Sequence, residues 1–224
     1  KPLLPSTGRM FVMPVNPDAS VLVMQFSKWP EAGRVKTRLM PALGAEGAMA
    51  AHVRLSLAVL DNLVASGYTV QFLWDRALEN APTGAAPVLE RLDVHGVAQA
   101  VQEGDILGER MSQALDAGLR GFGKAMIVGS DCPSVDADYV RTAVAALDEV
   151  DVVLGPSEDG GYVLIGARRV LPGMLADVAW GTEKALSQTC DRLTQAGLSF
   201  RLLPQRWDVD EPEDWHRFTG QSSG

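Results

Sequence analysis

Four basic side chains, Lys28, Arg34, Lys36 and Arg38, fall within residues 28–39 (KWPEAGRVKTRL), where Glu31 is the only acid. The whole chain carries a formal charge of -8, so this is a basic island in an acidic protein. Cations clustered around a glycine, here Gly33, can hold phosphate oxygens through charge and exposed backbone amides. The same cluster also reads as a solvated loop that serves only solubility. Its place favours a ligand: it directly follows residues 21–26 (VLVMQF), an apolar run rich in strand formers.

Acids follow other apolar runs. Asp131 lies in Gly129-Ser130-Asp131-Cys132-Pro133, just after residues 125–128 (AMIV). An aspartate at the carboxyl end of a central parallel strand faces the crevice where α/β sheets bind ligands. Its oxygens suit a hard cation such as Mg²⁺, which keeps several waters and needs few carboxylates. An Asx turn into the next helix explains the same residues equally well. Asp208 and Asp210, in residues 207–214 (WDVDEPED), would project to one face of an extended stretch and could approach one metal. Alternatively, Asp210 and Glu213 form a capping-box-like pair at the start of a final helix. Residues 156–162 (PSEDGGY) carry a hairpin turn signal in Asp159-Gly160-Gly161. Those glycines would also admit a ligand close to the backbone, and Glu158 and Asp159 could act as general bases. Arg110, in residues 104–111 (GDILGERM), can make a forked contact to phosphate, or pair with Asp105 or Glu109. His52, His95 and His216 have no ligand spacing and read as structural. Gly-x-Ser-x-Gly, Walker and Gly-x-Gly-x-x-Gly patterns are absent.

These residues need a frame. Residues 45–65 place Met49, Val53, Leu57, Leu60 and Val64 at helical spacing, with Gly67 as a stop. A strand is expected over 68–74, a loop over 77–87, a short helix over 88–92 and a weak strand over 98–102. Residues 107–121 read as a helix and 125–128 as a strand buried on both faces. Ser134 could cap a helix over 135–147. A buried strand is expected over 152–154 and an antiparallel partner over 162–165. A helix follows over 182–196, a strand over 198–203 and a closing helix over 212–218. Strands alternating with helices give an α/β fold with a mostly parallel sheet. Residues 1–20, with Pro2, Pro5, Pro14 and Pro17, read as an extension. Residues 21–219 make one domain and 220–224 a tail.

The 224 residues suit a single core. A sequence pI near 4.9 speaks against a nucleic-acid polymer as the main partner, but not against a single nucleotide. Cys132 and Cys190 are too few for a disulfide scaffold and lack zinc spacing. Reduced thiols in the cytoplasm are expected. No apolar run approaches the roughly 18 residues that span a bilayer. Lys1 followed by prolines has no signal-peptide shape.

Taken in order, the motifs are Phe26-x-Lys28-x-Pro30-x-x-Gly33-x-Val35-Lys36-Thr37-Arg38-Leu39, Leu107-Gly108-x-Arg110-Met111 and Gly129-Ser130-Asp131-Cys132-Pro133. They continue with Gly155-Pro156-x-x-Asp159-Gly160-Gly161-Tyr162-x-Leu164-Ile165-Gly166, Trp180 and Asp208-Val209-Asp210-x-x-x-Asp214. Over about residues 21–218 this series resembles the radical-SAM/selenodomain-associated transferase family, of the nucleotide-diphospho-sugar transferase superfamily. It is also similar to small nucleotidyltransferases such as phospholactate and molybdenum-cofactor guanylyltransferases. The resemblance implies a single-domain, Rossmann-like glycosyltransferase-A fold with helices on both faces. It implies a nucleotide-sugar or NTP held by Lys28, Gly33, Arg34, Lys36, Arg38 and Arg110. It implies Mg²⁺ or Mn²⁺ on Asp131 and Asp210, with Asp208 a further candidate ligand. Asp131, Asp159 and Asp210 are then the catalytic candidates, with Asp159 the base. Gly160, Gly161, Tyr162 and Trp180 would line a pocket for a small-molecule acceptor. Gly181 stands where the family more often has serine, and Glu211-Pro212 where a hydroxyl residue often precedes the acids. A metal-dependent glycosyltransferase is the leading expectation. Nucleotidyl transfer to a small phosphorylated acceptor and a non-catalytic nucleotide-binding protein are the alternatives. The base, sugar, acceptor and oligomeric state are left open.

Overall fold

The apolar runs 21–26, 125–128 and 152–154 are nearly continuous, so successive residues put hydrophobic side chains on both sides of those strands, and both sides must then be covered. The computed structural model describes residues 20–220, so the expected extension and tail lie, all but their innermost residues, outside the described residues. Seven strands form one sheet: β1 (Val21–Ser27), β2 (Thr69–Trp74), β3 (Ala98–Val101), β4 (Lys124–Gly129), β5 (Val152–Pro156), β6 (Tyr162–Ala167) and β7 (Phe200–Leu202). Their order is β3-β2-β1-β4-β6-β5-β7. β6 is antiparallel to both β4 and β5, and every other pairing is parallel. The carboxyl ends of β1, β2, β3, β4, β5 and β7 therefore share one edge.

Among the described residues there are six α-helices: α1 (Met40–Ala65), α2 (Ala86–His95), α3 (Leu107–Leu119), α4 (Ala137–Ala146), α5 (Ala185–Gln195) and α6 (Pro212–Thr219). Val21, Val23, Met126, Val128 and Val153 pack with Val59, Leu60 and Leu63 of α1, Leu92 of α2 and Val140 of α4. The alternate residues Leu22, Met24, Ala125, Ile127 and Leu154 pack with Leu115 of α3 and Leu193 of α5 on the opposite face. This is the expected three-layer α/β arrangement.

Three local expectations are corrected. Ser134 does not cap α4. Asp136 does, its side chain accepting from the Tyr139 amide, while the Ser134 hydroxyl donates to the Trp207 carbonyl. The final helix is capped by Glu211 and Asp214 in a reciprocal box, not by Asp210 and Glu213. The stretch 37–65 is long and apolar enough to cross a bilayer by length and composition. Its Leu55, Val59, Leu60 and Leu63 are nevertheless fully buried in the core, so a core helix meets the same criterion. Gly44, at φ 72°, breaks its first turns from the rest.

Candidate functional site

The loop after β1 leaves the sheet edge and turns back at Gly33, whose φ of 80° suits the residue without a side chain. Lys36 also has a left-handed backbone, φ 46° and ψ 45°. A non-glycine residue held there costs about 1–2 kcal/mol, which surrounding contacts must offset. They do so through its side chain, only 7% exposed. The ammonium donates to Asp131 Oδ2 at 2.8 Å and to the Val209 carbonyl at 2.5 Å. It lies 3.9 Å from Asp210 Oδ1. Arg38 then reaches Asp210 Oδ2 at 2.6 Å and Glu211 Oε1 at 3.3 Å.

The acidic loops meet through the main chain. The Val209 amide donates to the Asp131 carbonyl at 2.9 Å. Leu39 and Leu55 enclose the fully buried Val209, with Trp207, Trp215 and Phe218 packed around them. The end of the basic loop, the start of α1 and the segment before α6 thus form one packed unit. Asp131 and Asp210, distant in sequence, both contact one cation.

A crevice of about 630 Å³ opens at this sheet edge, lined by Lys28, Arg34, Lys36, Arg38, Arg110, Asp131 and Asp210. Gly33 is not in its wall and serves the turn. Arg110 is not paired with Asp105 or Glu109: its Nε donates to the Gly104 carbonyl, and Glu109 instead accepts from the Asp105 amide. Among the described residues neither Lys28 nor Arg110 makes an ion pair, whereas Lys36 and Arg38 are already committed to acids. Cationic charge that no acid neutralises therefore remains in the crevice wall.

A second, smaller hollow of about 160 Å³ shares Leu107 with the crevice. It holds Asp159, Gly161, Tyr162, Trp180 and Asp208. Tyr162 and Trp180 meet edge to face, with centroids 6.0 Å apart at 82°. The Gly161 amide donates to Asp159 Oδ1 at 2.9 Å. Gly160 does not line the hollow; a side chain there would strike the Glu183 backbone. Asp208 does not share Asp210's surroundings either. Residues 207–210 are not a strand, and Asp208 turns into the small hollow, where it accepts from the Ser157 hydroxyl at 2.7 Å. Among the described residues no three His, Cys, Asp or Glu side chains stand ready as a metal cage.

The electrostatics follow from burial and these pairings. Burial favours a neutral Asp131, but Lys36 outweighs it and brings the carboxyl down to about 2. Burial likewise opposes the Lys36 charge, and Asp131, with Asp210 behind it, holds the ammonium above its ordinary range. At Asp208 the Ser157 hydrogen bond and the Lys36 charge are too weak to offset burial. Burial, then the Asp131 charge, push it up to about 6. Burial also pushes the Cys132 thiol well up, and Sγ donates to Asp131 Oδ1 at 3.4 Å.

Several residues in the site were not anticipated. His52 lines the crevice, and its Nε2 lies 2.9 Å from the Lys28 carbonyl. Burial first lowers its pKa, leaving a neutral ring that anchors the basic loop. Asp75 and Gln102 also line the crevice. Each follows a strand, β2 or β3, the same signal that drew attention to Asp131. Asp75 accepts from the Trp29 amide at 2.9 Å, and Gln102 donates to the Leu73 carbonyl at 2.9 Å. Gln25, inside β1 and fully buried, donates to Ser130 Oγ and the Ser56 carbonyl, each at 2.9 Å. It ties the Asp131 loop to α1, and a lone glutamine in an apolar run gave no signal for that role.

Residues 66–182 match the model of a family described as an uncharacterized protein conserved in bacteria (DUF2064). No curated protein gives a match. Among solved structures, a candidate nucleotide-diphospho-sugar transferase from Desulfovibrio desulfuricans G20 is 27% identical, with a TM-score of 0.77 over 91% of this chain and 89% of its own. A nucleotidyl transferase from Methanothermobacter thermautotroptrophicus shares the fold at 14% identity and a TM-score of 0.59, over 89% and 95%. CMP:2-keto-3-deoxy-manno-octonic acid synthetase, solved with CTP, does so at 12% and 0.57, over 90% and 97%. The architecture is that of the nucleotide-diphospho-sugar transferases.

Proposed function

The chain belongs to the DUF2064 family of bacterial proteins, and we propose that it is a metal-dependent glycosyltransferase that uses a nucleotide-diphospho-sugar and a small-molecule acceptor. A transferase acting on nucleotides or nucleotide-sugars accords with its structural relatives. One observation carries the reading. Five cations and the pair Asp131 and Asp210 line a single crevice at the carboxyl edge of the parallel strands, where open α/β sheets bind ligands. The order of motifs shared with the radical-SAM/selenodomain-associated transferases supports the same donor class.

Lys28, Arg34 and Arg110 would hold the diphosphate oxygens, with Arg110 suited to a forked contact. Asp131 and Asp210 would hold Mg²⁺ or Mn²⁺, whose chemistry is to neutralise charge on the leaving diphosphate. The donor set fits, because both carboxylates already lie within 4 Å of one ammonium. Once those acids engage another cation, Lys36 and Arg38 become free to turn to phosphate. Asp159 would take the proton of the acceptor hydroxyl as its oxygen bonds to the sugar carbon. The bond from that carbon to the diphosphate breaks, and the diphosphate leaves with the electron pair. Tyr162 and Trp180 would seat the acceptor. Such a reaction belongs in the cytoplasm, where nucleotide-sugars are made.

Nucleotidyl transfer from an NTP is the second reading, favoured by the fold shared with nucleotidyl transferases and a CTP-bound synthetase. A thermal-shift screen of NTPs and NDP-sugars with and without Mg²⁺ or Mn²⁺ tests both. A ligand at 100 times its Kd should stabilise by about 2.7 kcal/mol. Product analysis then separates them: free nucleoside diphosphate marks glycosyl transfer and pyrophosphate marks nucleotidyl transfer. Absence of any metal-dependent shift across the panel would refute both.

A further inference from the structure

The two hollows that meet at Leu107 have opposite polarity. The larger holds five Lys and Arg side chains, whereas the smaller has no Lys or Arg in its wall. Its ionisable wall residues are Asp159, Asp208 and Tyr162, and the Ser157 hydroxyl is already donated to Asp208. We propose that the acceptor bound in this smaller hollow is a single-ring hydroxyl compound, uncharged or positively charged, and that phosphorylated acceptors are excluded. This rests on the reading of the main crevice as the donor site.

Three features of the hollow support the assignment. First, a phosphate there would be brought out of water beside two carboxylates with no counter-charge in contact. Like charges in a partly buried site disfavour one another. Second, the aromatic wall is closely packed. Trp180 lies against Gly108 at the start of α3 so closely that a side chain at 108 would meet the indole nitrogen, and Tyr162 fixes it edge to face. Such a surface takes the nonpolar face of a ring or an alkylammonium group rather than an anion. Third, about 160 Å³ is room for about five waters, the scale of one ring, and acids at its rim accept hydrogen bonds from hydroxyl or amine groups.

The test uses three probes of one skeleton: methyl glucoside, methyl glucosaminide and methyl glucoside 6-phosphate. Saturation-transfer NMR is recorded on the full chain with Mg²⁺ and the nucleoside diphosphate of the NDP-sugar that shifts melting most. The uncharged and amine probes should receive saturation, and Trp180→Ala should abolish it. Should that variant not fold, Trp180→Phe should keep the signal. The phosphorylated probe should bind at least tenfold more weakly, and Asp159→Asn with Asp208→Asn should narrow that gap. Phosphorylated probe binding as tight as the uncharged one overturns the proposal, as does silence from all three probes. Failure of the diphosphate itself to bind sinks the donor-site reading instead, and the acceptor assignment falls with it. A diphosphate that binds while the phosphorylated probe is preferred sinks the acceptor assignment alone.

Discussion

Replacing Lys36 by asparagine separates its charge from its backbone. Asparagine visits the left-handed region readily, so Lys36→Asn keeps the turn while removing the ammonium from Asp131. Asp131 is held at about 2 against an ordinary 3.8, which corresponds to about 2.5 kcal/mol at neutral pH. About 39% of its side chain is open to solvent, so screening reduces that figure. Against this, burial is left unopposed once Lys36 is gone. A net loss of about 2 kcal/mol at pH 7 is expected, or roughly 4–8 °C in Tm for a chain of this size. The sign with pH is fixed. A depressed carboxyl contributes stability above its unfolded value, near 3.8, and loses it as pH falls through about 2. The gap between wild type and Lys36→Asn should therefore be largest near pH 7 and shrink as pH falls towards 2.5. Urea unfolding in a chelating buffer across that range measures it. A variant as stable as wild type at pH 7, or a gap indifferent to acid, would refute the assignment of Lys36 as the counter-charge of Asp131.

The remaining predictions concern the neighbouring acids. Asp210→Asn should leave stability within about 0.5 kcal/mol, because Glu211 and Asp214 provide the helix cap, yet should remove most Mg²⁺-dependent nucleotide binding in calorimetric titration, as should Asp131→Asn. Glu211→Ala should show the converse, losing about 1 kcal/mol of stability with nucleotide binding largely kept. Asp208, raised to about 6 by burial, weakens the fold where it is charged. Asp208→Asn should stabilise the metal-free protein at pH 7 by at most about 3 kcal/mol, and by nothing near pH 3.5, where both forms are neutral. Chemical denaturation at the two pH values checks it.

The sequence alone determined the sheet and its charged edge. Near-continuous apolar runs in 21–26, 125–128 and 152–154 force burial on both faces, and burial on both faces forces helices above and below. It also placed a cation cluster and an aspartate just after two such strands, which topology alone brings to one edge. The same rule extends to Asp75 and Gln102, which follow β2 and β3 in the same way. Tertiary structure decided what each polar group does once there. Capping by Asp210 or by Glu211 turns on backbone angles that residue type scarcely fixes, since either acid is a competent cap. The separation of Asp208 from Asp210 came from a segment that is not extended, so period-two reasoning had no strand to act on. Lys36 read as one of four equivalent basic residues. Only the packing of Leu39 against Val209, and the bond from the Val209 amide to the Asp131 carbonyl, bring its ammonium between two acids. Contacts between residues so far apart in sequence depend on how loops are tied down, and no local pattern encodes that.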